Sequence, residues 1–155
     1  LALASELPTW NIEAIDFSID AVLLAKRNAK ALALPQVNIY QSDWFNKVSK
    51  REQFDLIVSN PPYIDSSDEN LSVGDVRFEP ISALVANDQG LGDIKDITVK
   101  AKEYLSVNGA LFFEHGFEQG EAVRNILKRN DFTAIETVKD LNGHDRITWG
   151  RLGGS

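Results

Sequence analysis

Cysteine and methionine are both absent from the 155 residues. Without cysteine no disulfide framework can form, and the chain suits a reducing compartment, with the cytoplasm as the default expectation. No methionine stands at position 1, and Leu1-Ala2-Leu3-Ala4-Ser5-Glu6 reads as the second half of a helix, so the expectation is a chain that begins inside a longer protein. Long apolar runs are lacking too. A bilayer span needs about 20 residues, whereas the longest runs here, such as Ile81 to Ala86, are far shorter and include a serine. No membrane span is expected, and the start has no basic residues ahead of its apolar ones, as a signal peptide would. Basic residues are in the minority, 16 Lys+Arg against 23 Asp+Glu, for a net charge of −7. That balance disfavours binding to phosphate backbones, which depends on Lys/Arg neutralisation and counterion release. No Cys/His cluster or carboxylate spacing points to a metal. What remains, 43% hydrophobic and 25% charged residues, is the composition of one ordinary soluble domain.

Along the chain, helical and extended patterns alternate. Trp10-Asn11-Ile12-Glu13-Ala14-Ile15-Asp16 predicts a strand ending in an acid. Ser18 then stands as an N-cap, and Ala21, Val22, Leu24, Ala25, Ala29 and Leu32 recur at helical spacing until Pro35. Val37 to Gln41 reads as a second strand. Phe54 to Ser59 reads as a third, with the near-continuous apolar run of a strand covered on both faces. Asn60 to about Asn87 is rich in Asp, Ser, Pro and Glu without helical or strand period, and a loop of that length is usually functional or disordered. Asp93 to Leu105 has helical spacing, Asn108-Gly109 punctuates it, and Ala110 to Glu114 is a fourth strand. Glu118 to Arg129 is an amphipathic helix, and Phe132 to Val138 with Ile147 to Leu152 flank the turn residues Asn142-Gly143 as a terminal hairpin. Strands alternating with helices imply an open, mainly parallel sheet, to which the hairpin adds an antiparallel strand. This α/β combination is the Rossmann-like architecture of class I methyltransferases; a plain nucleotide-binding or flavodoxin-like domain is the alternative.

In such sheets ligands bind at the carboxyl ends of the strands. Four positions qualify, and all could face one cleft: Asp16, Asp43-Trp44, Asn60-Pro61-Pro62-Tyr63 and Glu114-His115-Gly116. A carboxylate at a strand tip can accept hydrogen bonds from both ribose hydroxyls of a nucleoside, which suits Asp16; the plainer role is a helix cap. Asp43 can accept from an adenine amino group while Trp44 covers the ring face, unless Trp44 and Phe45 are simply core. Asn60-Pro61-Pro62-Tyr63 is the most specific signal. The nitrogen of a planar NH2 group has its lone pair delocalised and is a poor nucleophile, so a site that methylates it must hold it in place. The Asn60 side-chain oxygen and the Pro61 carbonyl can accept both N–H bonds, and Tyr63 can pack on the planar group. Proline adds rigidity by fixing φ. The bland reading, a turn after a strand, is the usual meaning of Asn-Pro, but the placement directly after Leu56-Ile57-Val58-Ser59 favours the site.

Val58-Ser59-Asn60-Pro61-Pro62-Tyr63-Ile64, with Gln41-Ser42-Asp43-Trp44-Phe45 before it and Gly74-Asp75-Val76-Arg77-Phe78-Glu79-Pro80 after it, resembles the HemK/PrmC family of peptide-chain-release-factor glutamine methyltransferases. The similarity runs through essentially the whole chain. It implies a class I methyltransferase domain over 1–152 with a tail at 153–155. It also implies S-adenosyl-L-methionine as methyl donor, and the side-chain amide nitrogen of the glutamine in the Gly-Gly-Gln loop of class 1 release factors as acceptor. The resemblance places Asp16 and Trp44 at the cofactor and Asn60 through Tyr63 at the substrate amide, with Asn60 near the methyl donor as well. Family members carry a glycine-rich cofactor loop and first strand ahead of the helix ending at Ser5, and those are missing here, as is an N-terminal helical domain.

Other polar residues say less. Arg77 and Glu79 lie in the long loop as mostly solvated charges. An amide methyl transfer needs no strong general base, so His115 reads as structural, and His144-Asp145-Arg146 reads as a hairpin turn. Two other functions compete with release-factor methylation. One is methylation of an exocyclic amine of adenine or guanine, which uses the same Asn-Pro-Pro-Tyr logic but conflicts with the net charge of −7. The other is a non-catalytic fragment acting as an interaction module.

Overall fold

A computed structural model of the chain describes residues 1–61 and 91–153. They divide into two compact units, Leu1–Ser49 and Lys50–Ser155.

The first unit begins with helix α1 (Ala2–Glu6), followed by strand β1 (Ile12–Asp16), helix α2 (Ile19–Ala31) and strand β2 (Val37–Gln41). β1 and β2 pair in parallel from Ile12↔Val37 to Asp16↔Gln41. As expected, Ser18 caps α2, its Oγ accepting from the Ala21 N–H at 3.3 Å. Val22, Ala29 and Ile39 form the small core, with Ala14, Ala25 and Val37 packed against it. Leu24 and Leu32, read from the sequence as part of that apolar face, are exposed. At about 100° per residue Leu24 lies roughly 200° round the helix from Val22, off the stripe that faces the strands.

The second unit contains β3 (Phe54–Ser59), α3 (Gly92–Ala101), β4 (Leu105–Glu114), α4 (Gly120–Arg129), β5 (Phe132–Lys139) and β6 (Asp145–Leu152). Its sheet has the order β3-β4-β6-β5. β3 and β4 are parallel, while β6 runs antiparallel to both of its neighbours. The last strand therefore inserts between β4 and β5 and completes the ladder there. Ile94, Ile97, Ala101, Leu111, Phe113, Val123 and Leu127 are buried in this unit's core. The stacked rings of the cross-strand pair Phe112 and Trp149, 5.1 Å apart, extend it.

Three local expectations are corrected. The helix starting near Asp93 stops at Ala101, where the Glu103 and Tyr104 N–H groups bond back to Lys100 and Ala101 and tighten the last turn. Leu105 is buried as the first residue of β4, opposite Phe54, so its spacing from Ala101 mimicked a helix. Asn108-Gly109 is not a break between elements but an irregularity inside β4. Pairing shifts from Phe54↔Leu105 to Leu56↔Ala110, and Asn108 takes φ 64°. A Cβ on Gly109 would lie 2.9 Å from the Ser106 carbonyl oxygen, which explains glycine at this close approach. Finally, Asp145 and Arg146 belong to β6, and the hairpin turn is organised by Asp140 instead. Its Oδ1 accepts from the Asn142 and His144 N–H groups, its Oδ2 from Arg146 Nε at 3.1 Å, and Gly143 supplies φ +78°. The His144 N–H, followed by Arg146, holds the Asp140 carboxyl below its ordinary value.

Candidate functional site

In the first unit the two parallel strands end side by side, the Ser42 N–H donating to the Asp16 carbonyl at 3.0 Å. Asp16 and Asp43-Trp44 thus sit at adjacent strand tips, as the sequence predicts. The Asp16 side chain is exposed, and its Oδ1 accepts from the Ser18 N–H at 2.8 Å. The capping role is therefore real, yet it uses one oxygen; Oδ2 makes no hydrogen bond among the described residues and can accept from a hydroxyl. Asp43 is exposed, its carbonyl accepting from the Asn46 N–H.

Trp44 is not core: it is 37% exposed. Its backbone adopts φ 49°, a conformation a bulky residue rarely takes and that the surroundings must enforce. The enforcing group is Ser42, which the sequence reading passed over. Its buried hydroxyl donates to the Trp44 carbonyl at 2.6 Å and accepts from the Lys47 N–H at 3.1 Å. A serine between a strand end and Asp-Trp was the signal available. Phe17, also passed over, follows Asp16 with a ring 73% exposed, and its carbonyl accepts from Gln41 Nε2.

In the second unit, β3 delivers Asn60 directly after Ser59. Asn60 is exposed while Pro61 is fully buried, so the amide is presented on an anchored peptide. Pro62, Tyr63, Arg77, Glu79 and nearly all of the acidic loop lie outside the described residues. Glu114 at the end of β4 is exposed, whereas His115 is completely buried. The His115 Nε2 lies 2.7 Å from Thr148 Oγ1 and its Nδ1 2.8 Å from the Gly116 carbonyl, which agrees with a structural histidine. Among the described residues no group of three or more His, Cys, Asp or Glu is placed to hold a metal, and no helix is long and apolar enough to cross a membrane.

Burial is the main cause that lowers the His115 pKa from 6.5; the Gly116 carbonyl and Asp145 oppose it, and Arg146 and Arg124 reinforce it. The folded pKa is below the unfolded one, so between the two values the unfolded chain binds the extra proton. Stability should then fall as pH drops through 6.5 and level off below the folded pKa. Urea midpoints measured above and below that pH should show this decline in the parent and a smaller one in His115→Gln. Equal declines would disprove the linkage.

This parallel β/α arrangement with a reversed strand inserted beside β4 is the fold of the class I methyltransferases. Residues 1–90 match the methyltransferase small domain. The chain belongs to that family. It is 51% identical over 152 residues to a protein of Salmonella typhimurium named release factor glutamine methyltransferase, covering 98% of this chain and 54% of that protein. An Escherichia coli (strain K12) protein of the same name is 49% identical over 151 residues, covering 97% and 54%. The chain thus spans about half the length of the curated relatives it matches. Among solved structures, the ribosomal protein L11 methylase of Lactobacillus delbrueckii subsp. bulgaricus superposes with a TM-score of 0.67 at 16% identity, over 97% of this chain and 62% of that one. That likeness concerns the fold.

Proposed function

We propose that the full-length protein transfers a methyl group from S-adenosyl-L-methionine to the side-chain amide nitrogen of the glutamine in the Gly-Gly-Gln loop of class 1 release factors. Residues 1–152 act as one catalytic domain in this reading, with 153–155 as a tail. The observation that carries it is the exposed Asn60 amide on the buried Pro61 at the tip of β3. It is supported by relatives of that name about half identical across nearly the whole chain.

The methyl donor supplies an electrophilic methyl group on a sulfonium. The residues present suit its nucleoside. Asp16 Oδ2 would accept from ribose hydroxyls, Asp43 would accept from the adenine amino group, and the strained, exposed Trp44 would offer its face to the ring. On the acceptor side, the Asn60 oxygen and the Pro61 carbonyl take the two N–H bonds of the amide and leave the nitrogen free to face the donor. Pro62 and Tyr63, outside the described residues, are assigned to the same grip from the sequence motif, which would have Tyr63 pack on the planar group. The product proton leaves to solvent, so no buried base is needed, and His115 takes no proton. The expected partner is therefore a protein loop, with nucleic acid disfavoured by the net charge of −7.

Offering the full-length enzyme a release factor and structured RNA or duplex DNA together, with labelled donor, tests this. Label is expected on the Gly-Gly-Gln glutamine. Label in nucleic acid, with that glutamine untouched, would replace this function by exocyclic-amine methylation.

A further inference from the structure

Behind the tip of β4 lies a hydrogen-bonded chain of side chains that methyl transfer does not use. Arg124 Nη1 on α4 is 2.8 Å from Thr137 Oγ1 on β5, Thr137 Oγ1 is 2.8 Å from Thr148 Oγ1 on β6, and Thr148 Oγ1 is 2.7 Å from His115 Nε2. At the far end of the ring, Nδ1 is 2.8 Å from the Gly116 carbonyl oxygen. His115 and Thr148 are completely buried.

Each proton in this chain can be assigned. A carbonyl only accepts, so Nδ1 carries the hydrogen. Burial disfavours the imidazolium, so Nε2 is bare and accepts from the Thr148 hydroxyl. That uses the one proton Thr148 has, so Thr137 must be the donor in the bond between the two threonines. Thr137 in turn accepts from Arg124, which can only donate. With the neutral ring the direction therefore runs from guanidinium to imidazole, whereas a hydrogen on Nε2 would reverse the bond between the threonines and leave either a bare Nδ1 facing the Gly116 carbonyl or a charged ring in a buried site.

The ring's other hydrogen bond acts on the backbone. The Gly116 carbonyl also accepts from the Gln119 N–H at 2.9 Å, and the Gly116 N–H donates to Gln119 Oε1 at 2.9 Å. Both backbone polar groups of Gly116 are thus held, and with them the two consecutive peptides that flank it. The turn is pressed against β6 as well: the His115 N–H donates to the Arg146 carbonyl, and a Cβ on Gly120 would lie 2.9 Å from Asp145 Oδ2. Ser59 on β3 is paired with Phe113 on β4. Asn60-Pro61 and Glu114-His115 therefore continue from paired residues of adjacent parallel strands; Glu114 still belongs to β4, opposite Ile147 of β6, and in each segment the second residue, Pro61 or His115, is the buried one.

We propose that His115 is a positioning residue of the amide site: held as the neutral, Nδ1-protonated tautomer by the Arg124-Thr137-Thr148 chain, it locks the Gly116 turn alongside the segment that carries Asn60 and Pro61. The inference rests on the reading of Asn60-Pro61 as the amide-holding segment. It assigns the turn after β4 to catalysis as the wall that keeps that segment in place.

The described chain has two histidines, His115 and His144, and the imidazole signals that disappear in His115→Gln but remain in His144→Asn identify the His115 ring by nitrogen NMR. In the full-length enzyme His115 should show a protonated Nδ1 and a bare Nε2 at neutral pH. Thr148→Val removes the donor to Nε2 and the acceptor for Thr137 with little change in volume. It should lower kcat by roughly tenfold with KM for the methyl donor unchanged, since a displacement on the order of 1 Å can cost up to about 100-fold. Thr148→Ser, which restores the hydroxyl, should recover most of the loss. If Thr148→Val does not fold, Thr137→Val carries the same expectation one bond further away. A ring protonated on Nε2 in the parent, or a variant with unaltered kcat beside an active parent, overturns the inference alone. A parent that does not methylate the amide overturns the reading beneath it.

Discussion

Replacing Asn60 with alanine in the full-length protein should reduce turnover by on the order of 100-fold or more while leaving methyl-donor affinity nearly intact, because positioning of a weakly nucleophilic amide supplies most of the catalysis. The side chain is exposed and follows the last residue of β3, so its removal creates no core cavity. Pro61, which anchors the segment, stays buried. Loss of activity can then be read as loss of an acceptor for one amide N–H. Asn60 is also expected to lie near the methyl donor, and a calorimetric titration of the variant with S-adenosyl-L-methionine separates the two contributions. Methylation comparable to the parent would end the argument from Asn-Pro-Pro-Tyr.

The second large effect is expected at Asp16. Asp16→Ala should weaken methyl-donor binding by about 1–3 kcal/mol, the scale of a lost hydrogen bond to a charged group. Alanine also removes the acceptor for the Ser18 N–H, so part of any loss could come from a loosened start of α2. Asp16→Asn resolves this. Its amide oxygen can still accept from Ser18, but no second oxygen remains for a ribose hydroxyl. Asparagine should therefore lose nearly as much affinity as alanine while keeping the parent's thermal stability. If asparagine binds as tightly as aspartate, Asp16 is a cap and nothing more. No detectable binding by the parent chain itself would favour the non-catalytic reading for this length of sequence.

The strand-tip positions of the candidate residues could be read from the sequence. Asp16, Asp43, Trp44 and Asn60 each follow an apolar run, and in a parallel sheet that position is where ligands meet the chain. The exposed Trp44 and the capping bond of Asp16 show how far local pattern carries. It placed both residues at a strand tip but left open whether the ring was core and whether the carboxylate was only a cap. Ser42 was missed because a lone serine has no periodic signature; its importance comes from a buried bond to the carbonyl of a residue with φ 49°. The Asn108-Gly109 pair was misread as a turn for a related reason. Gly-containing pairs mark any departure from regular backbone, and only the shift in pairing with β3 shows that this one sits within a strand.

Local sequence patterns were enough for the chain order of strands and helices, the cap at Ser18, the terminal hairpin and the residues at the strand tips. Those features depend on hydrogen bonds and apolar spacing within a few residues of one another. Only packing between elements decided that β6 inserts between β4 and β5, that Leu24 and Leu32 lie off the core while Leu105 begins a strand, and that His115 ends a hydrogen-bonded chain reaching Arg124. His115 and Thr148 are 33 residues apart, and Ser106 and Asp55 are 51 apart. Such pairings arise from packing between elements, and packing depends on the shape of every neighbour at once, which no local window of sequence contains.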